Sequence, residues 1–283
     1  MIYFLTVNYY SIELVENLIA SIANGITSNY QVLIVNNSPQ EKDVHRLESD
    51  RVKIIESGEN IGFGRACNLG IDYVWQNDRE ALIWLINPDT TLDSKSDRYI
   101  INCFVETPNI AILGTQIRDT SGKTWFTTGT FNRWTGSLKH HSSPIKSPPS
   151  DRFTTSSQWV TGCSMILNLE QFKNCPAFDP NYFLYSEDAD FCVRYSQQGY
   201  LVAVTQKILV THHVSSIVGR NKAFKYEHYT FGRLYFLKQH TTLMSLIFYL
   251  VYSLFSQIIL FSLDPQNSRG RWRGVVKFLI TKN

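Results

Sequence analysis

One segment gives the strongest indication of the fold, and it reads Ala81-Leu82-Ile83-Trp84-Leu85-Ile86-Asn87-Pro88-Asp89. Its first six residues are apolar, which is typical of a strand buried on both faces of a sheet. The run then stops at a turn that contains proline and ends in a carboxylate. The segment therefore predicts a buried strand over 81–86, with Asp89 presented beyond its carboxyl end.

Similar segments lie on both sides of this strand. Short apolar runs predict further strands at 2–7, 31–35, 52–55, 201–204 and 208–211. Helical patterns separate the first of them, through Leu14, Leu18 and Ile22 and then from Gly62 to Val74. Alternating strands and helices predict the α/β class, with a mainly parallel sheet covered by helices on both faces. In such sheets ligands bind beyond the carboxyl ends of the strands, so we look for the site there.

The middle of the chain has a different character. Residues 119–158 are rich in Thr, Ser, Gly and Pro, which predicts an irregular excursion with a hairpin around Gly122. His140 and His141 are interpreted as loop residues of this excursion. A strand-like run follows at 158–167, and a short helix is expected over 186–197.

The composition excludes several classes of protein. Of 283 residues 43% are hydrophobic, so the chain is not disordered, and the net charge of +3 is too small to indicate a nucleic-acid partner. The five cysteines are widely spaced without a Cys-x-x-Cys pair, which favours reduced thiols and a cytoplasmic location. The first residues lack the basic start of a signal peptide.

Residues 243–263 carry no charge and are mostly aliphatic or aromatic. At about 1.5 Å per residue a helix of this length could cross a bilayer core. Weakly polar residues recur on one helical face: Ser245, Tyr249, Tyr252 and Ser256. Basic residues flank both ends, and no acidic residue follows Asp264. We therefore predict a catalytic domain over 1–240 and a membrane-associating helical tail over 241–283 that lies in the interface. The alternative is a helix packed on the domain.

Four groups of polar residues could carry chemistry. Asp89 could hold a divalent cation against a diphosphate, or it could serve an ordinary turn. The segment 60–68 opens a helix whose N-terminus would attract anions, although its glycine spacing is not the dinucleotide fingerprint. Within it, Arg65 is either a phosphate contact or a surface charge.

The other two groups lie later in the chain. Glu187 or Asp188 could be a general base, although acidic residues at a helix start are also stabilised by the helix dipole. Asp190 and Arg194, four apart, could form a surface ion pair. His212 follows a predicted strand and could bind metal or phosphate, although a lone histidine more often has a structural role.

The ordered set of motifs resembles a known family. The motifs are Asn8-Tyr9, Asn36-Asn37-Ser38, the segment 60–68, Asn87-Pro88-Asp89, Gly162-Cys163, the segment 183–190 and His212-His213-Val214-Ser215-Ser216. They resemble those of the inverting glycosyltransferases of family 2. This resemblance implies the GT-A fold, a Rossmann-like mixed but mainly parallel sheet flanked by helices, here with a C-terminal apolar helical appendage. The nearest likeness is to the rhamnosyltransferase-like branch that builds bacterial surface polysaccharides, and it covers about 1–240.

The resemblance implies a role for each matching position. Thr6 and Asn8 would line the nucleotide pocket, and Asn36 would accept a proton of the base where the family usually has Asp. The donor would also contact Gly62, Arg65, Asn68 and Asn87. Asp89 and His212 would hold Mg²⁺ or Mn²⁺, and Asp188 would be the catalytic base with Glu187 beside it. Gly232-Arg233 stands where many relatives carry Arg-Asn.

The resemblance also implies an activity. The donor would be dTDP-rhamnose or a UDP-sugar, and the acceptor a glycan on polyprenyl diphosphate at the cytoplasmic face of the inner membrane. The segment 121–149 would help to shape the acceptor site. Trp125, Trp134 and Trp159 are candidates for stacking on sugars, although core or loop packing is the more common role of such residues. Two alternatives remain: a sugar nucleotidyltransferase, which Asn8-Tyr9-Tyr10 after the first strand disfavours, and a nucleotide-binding membrane scaffold.

Overall fold

A computed structural model describes residues 1–143, 154–213 and 221–281, without the side chains of 154–155, 257–260 and 262. The strands are β1 Ile2–Asn8, β2 Tyr30–Asn36, β3 Val52–Glu56, β4 Leu82–Ile86, β5 Thr90–Leu92, β6 Ile110–Asp119, β7 Thr124–Phe126, β8 Gly129–Asn132, β9 Ser137–His140, β10 Thr154–Ser156, β11 Ser164–Asn168 and β12 Leu201–His212. The helices are α1 Ile12–Gly25, α2 Phe63–Asn77, α3 Ser96–Glu106, α4 Glu187–Gln197, α5 Lys222–His240, α6 Leu243–Leu263 and α7 Pro265–Ile280.

The main sheet has the order β10-β12-β6-β11-β4-β1-β2-β3, with β5 paired to β12 and β7 to β6. Its first strands, β1 to β4, pair in parallel, and β12 is parallel to β6. The strand β11 runs antiparallel between β4 and β6. The predicted α/β class with a mainly parallel sheet and flanking helices is confirmed.

The centre of the sheet explains the apolar runs. The strand β1 is buried along its whole length, as a central parallel strand covered on both faces must be. The ring of Phe4 stacks on that of Trp84 in β4, with centroids 5.3 Å apart. Helix α2 crosses β1 closely because it carries Gly70, where a Cβ would lie 2.3 Å from a methyl carbon of Leu5. Close packing here holds the carboxyl ends of the strands at fixed positions.

The middle of the chain is more ordered than predicted. The hairpin at Gly122 is confirmed, because it joins β6 to β7 with the glycine at φ +83°. A second hairpin, β8–β9, follows it, and His140 ends β9, so its interpretation as a loop residue is wrong. The strand expected over 158–167 begins only at Ser164. The runs 201–204 and 208–211 form one strand, β12, with local irregularities in its pairing to β6.

The last three helices form a layer of their own. Asn221 and Asp264 cap α5 and α7 through their side-chain oxygens, each to a backbone N–H three residues on. Helix α7 packs tightly on α5: a Cβ on Gly270 or Gly274 would lie within 2.5 Å of a carbonyl oxygen of α5. The predicted helix over 243–263 is confirmed as α6. Among the helices described here, none is both long and apolar enough to cross a membrane.

Candidate active site

Two cavities meet beyond the carboxyl ends of the central strands. The smaller cavity, about 190 Å³, is lined by Val7, Tyr9, Ser11, Asn37, Asn60, Gly62, Pro88, Asp89, Phe183 and Phe224. The larger cavity, about 510 Å³, is lined by residues of the middle segment and of α4 and α5, among them Trp125, His140, Trp159, Gly162, Glu187, Asp188, Lys225 and Tyr229. Phe63, Asn87 and Leu184 line both. The two cavities therefore adjoin, as a site for two substrates requires.

The wall of the smaller cavity is held by an amide network. The Asn37 side chain donates to Asn60 Oδ1 at 2.9 Å and accepts from the N–H of Ile61 at 3.0 Å. Asn60 Oδ1 also accepts from the N–H of Gly62, at φ +86° just before α2. These bonds connect the end of β2 to the start of α2, so Asn37 and Asn60 fix the shape of the cavity. The sequence analysis did not single out either residue as a site residue.

The residues predicted for the nucleotide pocket lie behind this wall. Asn8 and Asn36 are buried, and Asn8 Nδ2 donates to Asn36 Oδ1 at 3.1 Å and to Glu41 at 2.8 Å. Asn36 Nδ2 donates to Glu56 at 3.1 Å. Thr6 is buried too, and its hydroxyl has no hydrogen-bond partner in the described part of the chain. Within that part, Asn37 rather than Asn36 lines the cavity.

The helix start at 60–68 is at the site, but two of its side chains hold a neighbouring loop. Asn68 exchanges two hydrogen bonds with the backbone of Phe178, at 2.9 and 2.8 Å. Arg65 donates to the carbonyl of Pro180 at 2.6 Å. Gly62 lines the smaller cavity, and a Cβ there would lie 2.4 Å from the carbonyl oxygen of Phe183. Of the three, only Gly62 is a wall of the site.

Asp89 and His212 are brought together across the sheet edge. Strand β5 pairs antiparallel with β12, which places His212 opposite Thr90, next to Asp89. The carboxylate lies 3.2 Å from His212 Nε2, and both side chains are largely buried. His212 Nδ1 is buried and has no partner in the described part of the chain.

This pair suits a cation that is shared with a phosphate. In the described residues no cluster of three or more His, Cys, Asp or Glu side chains could hold a metal by itself. Mg²⁺ is commonly bound through one or two carboxylates together with substrate phosphates, so two protein donors are an adequate set. We conclude that Asp89 and His212 fit a divalent cation only together with a diphosphate.

Glu187 and Asp188 begin α4 at the larger cavity, and their surroundings differ. Asp188 accepts from the N–H groups of Gly162 at 3.1 Å and Ala189 at 2.8 Å. Burial raises the pKa of Glu187 to about 8, and the neighbouring charge of Asp188 adds to this. Burial raises the pKa of Asp188 as well, but the backbone donors oppose that shift. When the pair holds one proton, it therefore resides on Glu187, and Asp188 keeps the charge.

Aromatic residues form another part of the lining of the larger cavity. Trp125 and Trp159 line it, and the ring of Trp125 lies against those of His140 and His212, with centroids 6.1 and 4.6 Å away. Trp134 is exposed in the β8–β9 turn, outside both linings. The described part of 121–149, which ends at 143, thus contributes to the cavity through β7 and β9.

Helix α5 supplies residues that the sequence analysis missed. Lys225 and Tyr229 line the larger cavity, and Phe224 lines the smaller one. Their spacing of four residues was a usable signal, since it places Lys225 and Tyr229 on one face. Arg233 points elsewhere: it donates to the carbonyl of Gly136 in the β8–β9 turn and lies 5.5 Å from the ring of Tyr249.

Comparison with known proteins identifies the family of this site. The model of glycosyl transferase family 2 matches residues 3–190, which include every strand end described above except that of β12. The chain belongs to this family. The transferase is 25% identical over 243 residues to the N-acetylglucosaminyl-diphospho-decaprenol L-rhamnosyltransferase of Mycobacterium tuberculosis, with 74% of each chain covered. It is 23% identical over 216 residues to the low-salt glycan biosynthesis hexosyltransferase Agl10 of Haloferax volcanii, covering 73% of this chain and 65% of that relative.

Solved structures agree on the fold. GalNAc-T7 with UDP, GalNAc and Mn²⁺ has a TM-score of 0.58 at 13% identity, and the match covers 75% of this chain but only 44% of that one. Staphylococcus aureus TarS 1–349 with UDP has a TM-score of 0.52 at 14% identity, covering 99% of this chain and 75% of that one. The expected GT-A fold is confirmed, and so is the enzyme class. A glycosyltransferase of this family takes a nucleotide-sugar donor and a glycan acceptor, which favours it over both alternatives weighed from the sequence.

Proposed function

We propose that this transferase is an inverting enzyme that moves rhamnose from a nucleoside diphosphate sugar to a glycan carried on polyprenyl diphosphate. The observation that carries the proposal is the pair of adjoining cavities, one with Asp89 and the other with Asp188. The donor enters the smaller cavity and the acceptor the larger one, so the two approach the shared wall from different sides. The name of the mycobacterial relative, a rhamnosyltransferase acting on a diphospho-decaprenol, supports the choice of sugar and acceptor.

In the donor cavity, the base lies against the ends of β1 and β2. Asn37 and Asn60 present its wall, while Asn8 and Asn36 hold that wall from behind. The role assigned to Asn36 is therefore one of support through Asn8 rather than of direct contact with the base. The family resemblance, rather than any single contact in this cavity, leads us to propose uracil or thymine as the base, and hence a dTDP or UDP donor.

The diphosphate of the donor lies toward Asp89, His212 and the start of α2 at Gly62. Asp89 and His212 would hold the divalent cation, Mg²⁺ or Mn²⁺, which supplies positive charge to the departing diphosphate. The positive end of the α2 dipole favours the same negative charge. Together they would stabilise the negative charge that develops on the diphosphate oxygen as its bond to the anomeric carbon breaks.

In the acceptor cavity, Asp188 takes the proton. The acceptor hydroxyl oxygen forms its bond to the anomeric carbon, its proton passes to the carboxylate of Asp188, and the nucleoside diphosphate leaves. The N–H groups of Gly162 and Ala189 fix the carboxylate and leave it charged, as a base must be. Glu187, which holds a proton, keeps the pair from carrying two adjacent charges. A single displacement of this kind inverts the anomeric carbon.

The C-terminal helices suit an anionic membrane surface. Helix α6 exposes large apolar side chains, of which Met244 and Phe248 are 78% and 74% exposed. The outer face of α7 carries Trp272 and Val276 between the exposed cations Arg269 and Arg273. Exposed apolar groups beside cations are typical of helices that lie in the headgroup region of a membrane. We infer a peripheral position on the cytoplasmic face, with residues 241–283 as the contact.

The test is a binding and turnover panel. UDP, dTDP and GDP are titrated with and without Mn²⁺ while the melting temperature is followed. We expect dTDP or UDP to raise the melting temperature only when Mn²⁺ is present, and GDP to leave it unchanged. Transfer from dTDP-rhamnose and UDP-sugars to N-acetylglucosaminyl-diphospho-prenol is then measured. Binding of a nucleotide without transfer to this acceptor would overturn the assigned acceptor, and stabilisation by GDP alone would overturn the assigned donor.

A further inference from the structure

One cation faces the acceptor cavity from a helix that the family match does not cover, since that match ends at residue 190. Lys225 lies in α5, and its side chain lines the larger cavity together with Glu187 and Asp188. Tyr229, one turn later, lines the same cavity, and its ring lies 5.9 Å from that of Tyr185. A positive charge and an acidic pair thus line the same cavity.

The position of this face is fixed by packing. Lys225, Tyr229 and Gly232 recur at positions i, i+4 and i+7, so they share one face of α5. A Cβ at Gly232 would lie 2.3 Å from the carbonyl oxygen of Tyr185, which shows that the helix touches the segment leading into Glu187. On its other side, α5 is held by the close contact with Gly270 and Gly274 of α7. Lys225 therefore stands on a rigid element next to the catalytic pair.

Three other cations of this helical layer have partners. Lys222 pairs with Asp264 at 3.7 Å, Arg271 lies over the ring of Tyr226 and Lys277 over that of Phe231. In the described part of the chain, Lys225 makes no ion pair. It is also in the first turn of α5, where the helix dipole favours an anion. These features together suit a negatively charged ligand group.

We propose that Lys225 and Tyr229 form a subsite for the phosphate groups of the acceptor, placed beside the sugar that receives the new residue. The inference rests on the proposed function, because that function makes the acceptor a glycan on a diphosphate-linked lipid. The ammonium of Lys225 binds the phosphate oxygens, and the hydroxyl of Tyr229 donates to them. The subsite selects acceptors whose accepting sugar carries a phosphate ester, and it holds that sugar with its hydroxyl at Asp188. It also connects α7, whose outer face we assign to the membrane, to the place where a lipid-linked substrate must arrive.

Direct binding tests the subsite without relying on turnover. The probes are farnesyl-diphospho-N-acetylglucosamine and octyl N-acetylglucosaminide, which carries the same sugar without phosphate, together with UDP and dTDP. We expect the unaltered protein to bind the diphospho probe at least tenfold more tightly than the octyl glycoside, as expected for a hydrogen-bonded charge. Lys225→Met should abolish this preference, Lys225→Arg should restore most of it, and neither should change the affinity for UDP or dTDP. Lys238→Met, an exposed lysine of the same helix outside the cavity lining, is the matched control and should bind all probes as the unaltered protein does.

The outcomes separate the two proposals. If the unaltered protein shows no preference for the diphospho probe, the assigned acceptor class is wrong and the subsite with it. If the preference exists but survives in Lys225→Met, the subsite alone is wrong and the proposed function stands. A loss of affinity for UDP or dTDP in Lys225→Met would place the lysine on the donor and overturn the assignment to the acceptor.

Discussion

The strand ends and the C-terminal helices differ in which side chains they bury and which they expose. At the strand ends, ionisable groups are buried: Asp89 with His212, and Glu187 beside Asp188. In α6 and α7, large apolar groups such as Phe248 and Trp272 are exposed, and the cations lie at the surface. Burying a charge and exposing a large apolar side chain both cost free energy. Because the two unfavourable features lie in separate regions, we infer two functional surfaces, one for catalysis and one for contact with the membrane.

Not every buried charge belongs to the chemistry. Asp190, 1% exposed, bonds to Arg194 at 2.7 Å and to His240 at 2.8 Å. The predicted ion pair with Arg194 exists, but it is buried rather than at the surface. It joins α4 to the end of α5, so it is structural. Glu187, in contrast, has a buried carboxylate oxygen without a partner in the described part of the chain. The partners of Asp190 tie it to the fold, whereas Glu187 lines the larger cavity beside Asp188.

The largest effect should come from breaking the acidic pair. Asp188→Asn removes the base while preserving shape, and we expect turnover to fall by about 10²- to 10⁴-fold, the range for general-base catalysis. Glu187→Gln mimics the protonated form that Glu187 already has, so turnover should fall by less than about tenfold. Turnover of both variants is measured as the initial rate with saturating donor and acceptor. Circular dichroism confirms that both are folded. Equal losses in the two variants would show that the roles within the pair are misassigned.

The next largest effect concerns the other buried pair. Asp89→Asn removes one of two donors to the cation, and we expect turnover to fall by about a hundredfold, because charge stabilisation by a metal provides several kcal/mol. Chelation by EDTA should reproduce the loss in the unaltered enzyme and add little in the variant. Asp93→Asn is the control, since that carboxylate pairs with Arg118 at 2.6 Å instead. Full activity of Asp89→Asn in excess Mn²⁺ would refute the assigned role.

The sequence predicted the sheet better than the cavity walls. Unbroken apolar runs identify buried parallel strands, and the turn after β4 placed Asp89 correctly at a strand end. The same logic could not choose between Asn36 and Asn37, because adjacent residues at a strand end point to opposite faces and only the tertiary fold decides which face is open. Lys225 was missed for a related reason. Its helix is far from α4 in sequence, and the contact at Gly232 that brings them together is a tertiary one.

The exposed apolar face gives a smaller and separable effect. Phe248→Ser with Phe255→Ser removes two side chains that are 74% and 67% exposed, so the fold should lose little stability. Flotation with phosphatidylglycerol vesicles should show binding reduced at least tenfold, since each buried phenylalanine contributes about 1.5–3 kcal/mol. Val105→Ser, which removes a 71% exposed residue from α3, should leave vesicle binding unchanged. Vesicle binding that survives the double substitution would remove α6 from the proposed contact.

The buried pair also makes stability depend on pH, and this is the smallest effect. Folding raises the pKa of Glu187 to about 8 from an ordinary value near 4.5, so between these values the folded state holds a proton that the unfolded state has released. The free energy of unfolding must therefore fall as the pH rises from 6 to 9, by up to about 1.4 kcal/mol per pH unit, the slope that a single proton gives. His228, whose pKa burial lowers to about 4, acts in the opposite sense but only below about pH 6.5. Urea unfolding at four pH values should show a shallower slope for Glu187→Gln and an unaltered slope for the exposed control Glu80→Gln. If Glu187→Gln keeps the full slope, the proton does not reside on Glu187, and the distinction drawn between the two carboxyl groups fails with it.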